Sequence, residues 1–301
     1  MALSTLHIGN NLRDMMMKSM MNLKQFKIAM ALGLTLLVSA CGNGEPKANV
    51  ENKSTEKKTI VVAFGPSSYG TQFTTAIQPM LEAQGYEVVP RVFSQNAQIN
   101  RSMKDGEVDA SIFQSVAYME DINRLLGMDM VKLADTASAP QSLRSSRHQS
   151  LDAIKDGMTI TVPNDPVNAE RAARILENLG WIKIKAGVDP VKFSVNDIEK
   201  GQYDLVIKEV DPAQALRSID DVDFAVINGN YIANMGLKIT DSLIVEDTPA
   251  EHVVMVSILG KDQDQQWAKD LKKAYESKEF ENYIKNEPLY DGFIFPKHWD
   301  N

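Results

Sequence analysis

The sequence predicts an α/β protein built as two lobes. Three observations predict it. Short apolar runs alternate with amphipathic stretches, the alternation breaks and restarts after Ala139-Pro140, and the C-terminal part returns to the pattern of the first half. Repeated strand–helix units of this length imply a parallel sheet covered by helices. At 301 residues the chain can bury two ordinary cores, and 44% hydrophobic with 24% charged residues is the balance of a folded globule.

In order, Thr59–Phe64 (TIVVAF) is the first strand, followed by a helical stretch from Thr71 to Gln84 that ends at Gly85. Tyr86–Phe93 is a second strand, and Asn96–Lys104 a second helix closed by Asp105-Gly106. Val108–Phe113 and Val116–Leu126 form the third pair before Gly127, and Met130–Asp135 is a fourth strand. After the break, Met158–Val162, Tyr203–Val210 and Asp223–Ile227 read as strands, with helices at Pro166–Leu179 and Pro212–Ser218. His252–Leu259 and helices between Asp262 and Ile284 return to the first unit. The expected partition is therefore 59–139 plus 248–301 for lobe 1 and 140–247 for lobe 2, with two crossings and a ligand cleft between them.

The N-terminus does not belong to that globule. Lys24 and Lys27 precede an apolar run of about thirteen residues, Ile28–Ala40, too short to span a bilayer but suited to a secretory leader. Residues 1–40 are read as that signal peptide, with Met21 a plausible true start after the Met-rich opening. The run ends in Leu37-Val-Ser-Ala-Cys41-Gly, and Cys41 is the sole cysteine. This resembles a bacterial lipobox, in which the cysteine becomes a lipidated first residue. A lone secreted cysteine has no internal disulfide partner, so an acyl anchor explains it better than a redox role. The anchor implies a membrane lipoprotein on the periplasmic or cell-surface side, provided that more than one acyl chain is attached. Residues 41–58 are nearly devoid of large apolar side chains after the cysteine and read as a flexible tether, spanning on the order of 20–25 Å. Loss of the leader removes Arg13, Lys18, Lys24 and Lys27 against the single acid Asp14, so the net charge moves from −8 to about −11. An acidic globule without a basic stripe argues against nucleic acid as a partner.

The chemistry-bearing motifs point away from catalysis. His148, His252 and His298 lie in no metal-binding spacing, so neither a metal nor a cofactor is expected. No nucleophile elbow, Walker loop or dinucleotide fingerprint occurs, and Cys41 is committed to the lipobox. A carboxylate pair assembled from distant residues is the remaining catalytic option.

Three stretches carry a binding reading instead. In Thr161–Leu176 (TVPNDPVNAERAARIL), Asp165 suits an N-cap and Pro166 the first helical position, which by themselves explain the turn. The same join places unpaired N–H groups at the carboxyl end of a strand, where α/β sheets bind ligands and helix N-termini favour anions. Asn168 and Arg171 share a face there, while Val167, Ala172, Ile175, Leu176 and Leu179 supply the buried stripe. Arginine so near a helix N-terminus opposes the macrodipole. A ligand carboxylate would relieve it; so would Glu170, Asp165 or solvent, and the residues alone leave both readings open. In Asp221–Leu237 (DVDFAVINGNYIANMGL), Asn228-Gly229 is either a strand-ending turn or a place where Asn228 holds an amino or carboxylate group through its amide donor and acceptor. In Val108–Tyr118 (VDASIFQSVAY), Phe113 ends a strand and Gln114, Ser115 and Tyr118 begin a helix, with rings that suit an apolar ligand side chain or a core.

Together these stretches resemble the NlpA/MetQ-type methionine-binding lipoproteins, the substrate-binding proteins of ABC importers, over nearly all of Thr59–Trp299. The resemblance implies a two-lobed type II periplasmic-binding-protein fold that closes on one amino acid, L-methionine first, and delivers it to a permease with its ATPase. It implies that Arg171 clamps the ligand carboxylate with Asn168 beside it, that Asn228 contacts the charged backbone groups, and that Phe113 and Tyr118 line the side-chain end. Two departures stand out. Ser115 follows Gln114 where the family usually has His, and Ala139-Pro140-Gln-Ser-Leu-Arg144-Ser replaces a Tyr-Pro pair and a second Tyr. Ser115 and Arg144 would then alter the side-chain pocket, which keeps open another amino acid, a short peptide, or a surface lipoprotein acting as adhesin or antigen without a tight solute.

Overall fold

Strong apolar runs become strands where expected, and polar neighbours decide where each strand stops. The structure, a computed structural model, describes residues 57–300. The leader, the lipobox residue Cys41 and nearly all of the tether lie outside the described residues. The first half contains β1 (Thr59–Phe64), β2 (Glu87–Val92), β3 (Ala110–Ser115) and β4 (Met130–Asp135). Between them run α1 (Ser68–Gln72), α2 (Gln78–Glu82), α3 (Asn96–Lys104) and α4 (Val116–Leu126). The first helical stretch starts earlier than its pattern suggests, and α1 passes into α2 through a wider π-helical turn, Phe73–Ile77.

The second half contains β5 (Gln141–Arg144), β6 (Thr159–Pro163), α5 (Pro166–Asn178), β7 (Ile182–Ile184) and β8 (Ile198–Lys200). It continues with β9 (Val206–Val210), α6 (Pro212–Ala215), β10 (Phe224–Asn228), α7 (Gly229–Asn234) and β11 (Ile244–Val245). The chain ends with β12 (Val254–Leu259), α8 (Gln266–Tyr275) and α9 (Lys278–Asn286). Ala250–His252 is a short 3₁₀ turn, so the last long strand begins at Val254 and not at His252.

These strands form two five-stranded sheets, one in the order β2-β1-β3-β12-β4 and the other in the order β11-β5-β10-β6-β9, with β7 and β8 as a small separate pair. The first sheet is parallel through β1, β2 and β3, and β12 inserts antiparallel between β3 and β4. In the second, β6 is parallel to both β9 and β10, whereas β5 runs antiparallel to β10 and β11. The chain passes from the first sheet to the second between β4 and β5, and back between β11 and β12. This mixed α/β architecture of two sheets is the periplasmic-binding-protein arrangement expected from the sequence.

Two main cores hold the sheets, and the first also takes Ala225 and Ile227 from β10 of the second sheet. Ile60, Phe73, Leu271, Tyr275 and Phe280 are buried in the first core; Ile160, Val162, Ala172, Leu176, Trp181 and Phe224 fill the second. Side chains of this size contribute about 1.5–3 kcal/mol each when fully buried. The cores matter for function because they fix the strand ends from which the site is built.

Candidate ligand-binding site

A cavity of ≈ 290 Å³ opens between strand ends of the two sheets, near the lower end of small-molecule pockets, which run from roughly 300 to 1,000 Å³. Its wall takes Phe113, Gln114, Ser115 and Tyr118 from one sheet and Asn168, Arg171 and Asn228 from the other. Arg144 is the sequence-predicted residue that does not reach it. In the β5–β10 pairing Gln141 lies opposite Asn228 and Arg144 opposite Ala225, so the antiparallel register carries Arg144 three residues away, about 10 Å. There Arg144 Nη1 donates to Lys238 O at 2.9 Å and Ser242 Oγ at 3.0 Å.

The strand-to-helix join before α5 forms as its residues dictate. Asp165 caps the helix, accepting from Asn168 N at 3.0 Å, and Pro166 occupies the first turn. Asn168 Nδ2 donates to both Asp165 oxygens at 3.0 Å, and Asn168 Oδ1 accepts from Arg171 Nη1 at 2.9 Å. Burial pushes the Asp165 carboxyl up, against the Asn168 bonds and the Arg171 charge that favour ionisation. Arg171 itself is buried, and its fork faces Glu246, which is not among the partners weighed from sequence. Nε donates to Glu246 Oε1 at 2.9 Å and Nη2 to Oε2 at 2.6 Å, with both side chains 6% exposed. Burial disfavours the Glu246 carboxylate, but the Arg171 bonds and charge outweigh it and hold the carboxyl below its ordinary range. Three of the five guanidinium N–H groups are used, which leaves two without a partner among the described residues.

Glu246 also joins the two crossings. Its Oε2 accepts from Gln141 N at 2.9 Å on the outward crossing and from Thr248 Oγ1 at 2.7 Å on the return. The cation facing the cavity is thereby braced against both connections between the sheets.

At the end of β10 the chain enters α7 directly, and the expected Asn-Gly turn is a strand-to-helix junction. Gly229 is required there, because a Cβ would sit 2.4 Å from Pro140 O. Asn228 Oδ1 accepts from Gln141 Nε2 at 3.3 Å, and its Nδ2 has no partner among the described residues.

On the opposite wall, β3 runs through Gln114 and Ser115, two residues further than its apolar pattern suggests, because Ser115 pairs with Val254 of β12. Ser115 Oγ caps α4, accepting from Tyr118 N at 3.3 Å. Gln114 spends its amide inside the first sheet, accepting from Asn100 Nδ2 and donating to Ser257 Oγ, each at 2.9 Å. Phe113 and Tyr118 meet edge to face with centroids 6.0 Å apart, leaving an aromatic surface for an apolar group. Burial and the nearby Asp165 raise the Tyr118 hydroxyl pKa, so it stays a neutral donor.

Tyr69, Asn96, Asp211, Asn230 and Tyr231 also line the cavity. Burial pushes the Tyr231 hydroxyl up to about 12 despite its bond to Asn96. Tyr69, Asn96 and Asp211 each follow a strand and start a helix, so the strand-end rule applied to Asn168 could have found them. Among the described residues no group of three His, Cys, Asp or Glu side chains is placed to hold a metal ion. Among them too, no helix is long and apolar enough to cross a membrane.

Comparison with known proteins follows the same lines. The family model described as NlpA lipoprotein matches residues 60–298. The probable D-methionine-binding lipoprotein MetQ of Pasteurella multocida is 31% identical over 261 residues, covering 84% of this chain and 94% of the relative. Outer membrane lipoprotein 3 of Mannheimia haemolytica is 32% identical over 267 residues, covering 88% and 97%. Among solved structures, a nutrient binding protein from Burkholderia cenocepacia bound to methionine superposes with a TM-score of 0.73 at 31% identity, covering 78% of this chain and 99% of that one.

Proposed function

Because the chain belongs to the NlpA lipoprotein family, we propose that it is the substrate-binding lipoprotein of an ABC importer, taking one amino acid, L-methionine first, in the cavity. The observation that carries the reading is the pairing of opposite ends in one space. Two unused Arg171 N–H groups and the Asn228 amide form a donor end, and the Phe113–Tyr118 pair forms an aromatic surface. A carboxylate accepts two parallel bonds from a guanidinium, and an unbranched thioether packs well on aromatic edges. Asp211 spends one oxygen on Ala213 N at 2.9 Å and has another left for the ligand ammonium. Asn168 acts one step back, orienting Arg171.

Residues 140–247 and the remainder of the described chain act as the two lobes, and both contribute walls. Ligand contacts made to both favour the closed arrangement, whereas a ligand touching one lobe would shift nothing. The permease and its ATPase receive the ligand from that closed form. Acyl chains on Cys41 keep the protein on the membrane, as the lipoprotein names of its relatives suggest. Uptake of labelled L-methionine tests this. Cells lacking the chain should lose high-affinity uptake and regain it with the intact gene, and undiminished uptake in the deletion would overturn the assignment.

A further inference from the structure

We propose that Gln141 is a positioning residue that fixes the polarity of the donor end, making Asn228 a pure hydrogen-bond donor to a free ligand carboxylate. This rests on the amino-acid-binding reading above. Gln141 is fully buried and lies behind the cavity wall, where its Nε2 meets Asn168 O at 3.1 Å, Asn168 Oδ1 at 3.4 Å and Asn228 Oδ1 at 3.3 Å.

The orientations of the three amides follow from groups whose polarity is invariable. The backbone carbonyl of Asn168 can only accept, so the Gln141 end facing it is the NH₂. The Asp165 carboxylate and the Arg171 guanidinium independently set Asn168, because the first accepts from its Nδ2 and the second donates to its Oδ1. Among the described residues Asn228 has no such second constraint. Of these, Gln141 alone holds its oxygen, and that bond keeps its Nδ2 turned to the cavity. Without it, the Asn228 amide would be free to rotate and offer its oxygen, accepting from an ammonium or a neutral amide equally well.

Gln141 Oε1, meanwhile, is buried with no partner among the described residues. An orphaned buried acceptor is costly and calls for a reason; the donor face supplies one, since an apolar side chain of the same shape would avoid the orphan but lose the orientation. The ligand class is therefore one with a free carboxylate at this end, an amino acid or a peptide C-terminus, and not an amide or ester.

Calorimetric titration of the full chain with L-methionine and L-methioninamide tests this. The intact protein should prefer methionine, and Gln141→Met should reduce that preference about tenfold, the value of one hydrogen bond to a charged group. Asn228→Ala should reduce it equally, and adding Gln141→Met to Asn228→Ala should change the preference no further. Equal weakening of both ligands in Gln141→Met, or a further fall in the double variant, would overturn the relay. An intact protein that binds neither ligand would instead overturn the reading beneath it.

Discussion

Arg171→Ala should damage two properties that can be measured apart. In the folded protein the guanidinium neutralises Glu246, and both side chains are 6% exposed. Removing the cation leaves a buried carboxylate unpaired, a loss of roughly 3–5 kcal/mol, or on the order of 10 °C in melting temperature for a protein of this size. The Gln141 N–H and the Thr248 hydroxyl still reach Glu246 and hold the loss toward the lower end. The ligand in turn loses a bidentate charge-assisted pair, about 2–4 kcal/mol, equivalent to roughly 30- to 1,000-fold in affinity. The double variant Arg171→Ala/Glu246→Gln separates the two effects, since it removes the stranded charge and restores no donor. Thermal melting should then recover most of the lost stability, while calorimetry with L-methionine recovers none of the affinity. If affinity returned together with stability, Arg171 would serve only Glu246, and its role as a carboxylate clamp would be refuted.

Glu246→Gln alone should destabilise the protein near neutral pH, with a gap to the intact protein that narrows on acidification. The Glu246 carboxyl is held below its unfolded value, so its contribution is present above the ordinary carboxylate range and is lost as pH falls through the lower folded value. Urea unfolding across that range checks this, and a constant gap would contradict it. Gly229→Ala should cost about 1–3 kcal/mol or more, because the new methyl would lie 2.4 Å from Pro140 O and 2.5 Å from Ile239 Cδ1; an unchanged urea midpoint would count against the close approach. Arg144→Ala should leave methionine affinity within about twofold while costing about 1–2 kcal/mol of stability through the lost Lys238 and Ser242 bonds. A large loss of affinity would return Arg144 to the site.

The sequence was most legible where function and folding use local rules. The run TIVVAF reads as a short apolar strand and forms β1, and Asp165-Pro166 announces the start of α5 through capping alone. Arg171 stands out because a cation near a helix N-terminus calls for an anion, and within the described chain it meets Glu246, 75 residues along. No period or spacing connects the two. β5 was missed for a related reason: Gln-Ser-Leu-Arg has no apolar run, and it becomes a strand only by pairing with β10 and β11. The place of Arg144 depends on the same pairing, since the register alone decides which residues of β5 come near the cavity. Ser115 lines the cavity as expected, and its hydroxyl also caps α4, a role no spacing announces. Tyr69, Asn96 and Asp211 also follow strands and start helices, so the strand-end rule that points to Asn168 points equally to them.

Native mass spectrometry of the chain, freed of small molecules and then offered L-methionine, tests the central claim most directly. One methionine should bind per chain, and none at the same concentration to Arg171→Ala/Glu246→Gln. A chain that keeps its bare mass against methionine and every other free amino acid would contradict the account.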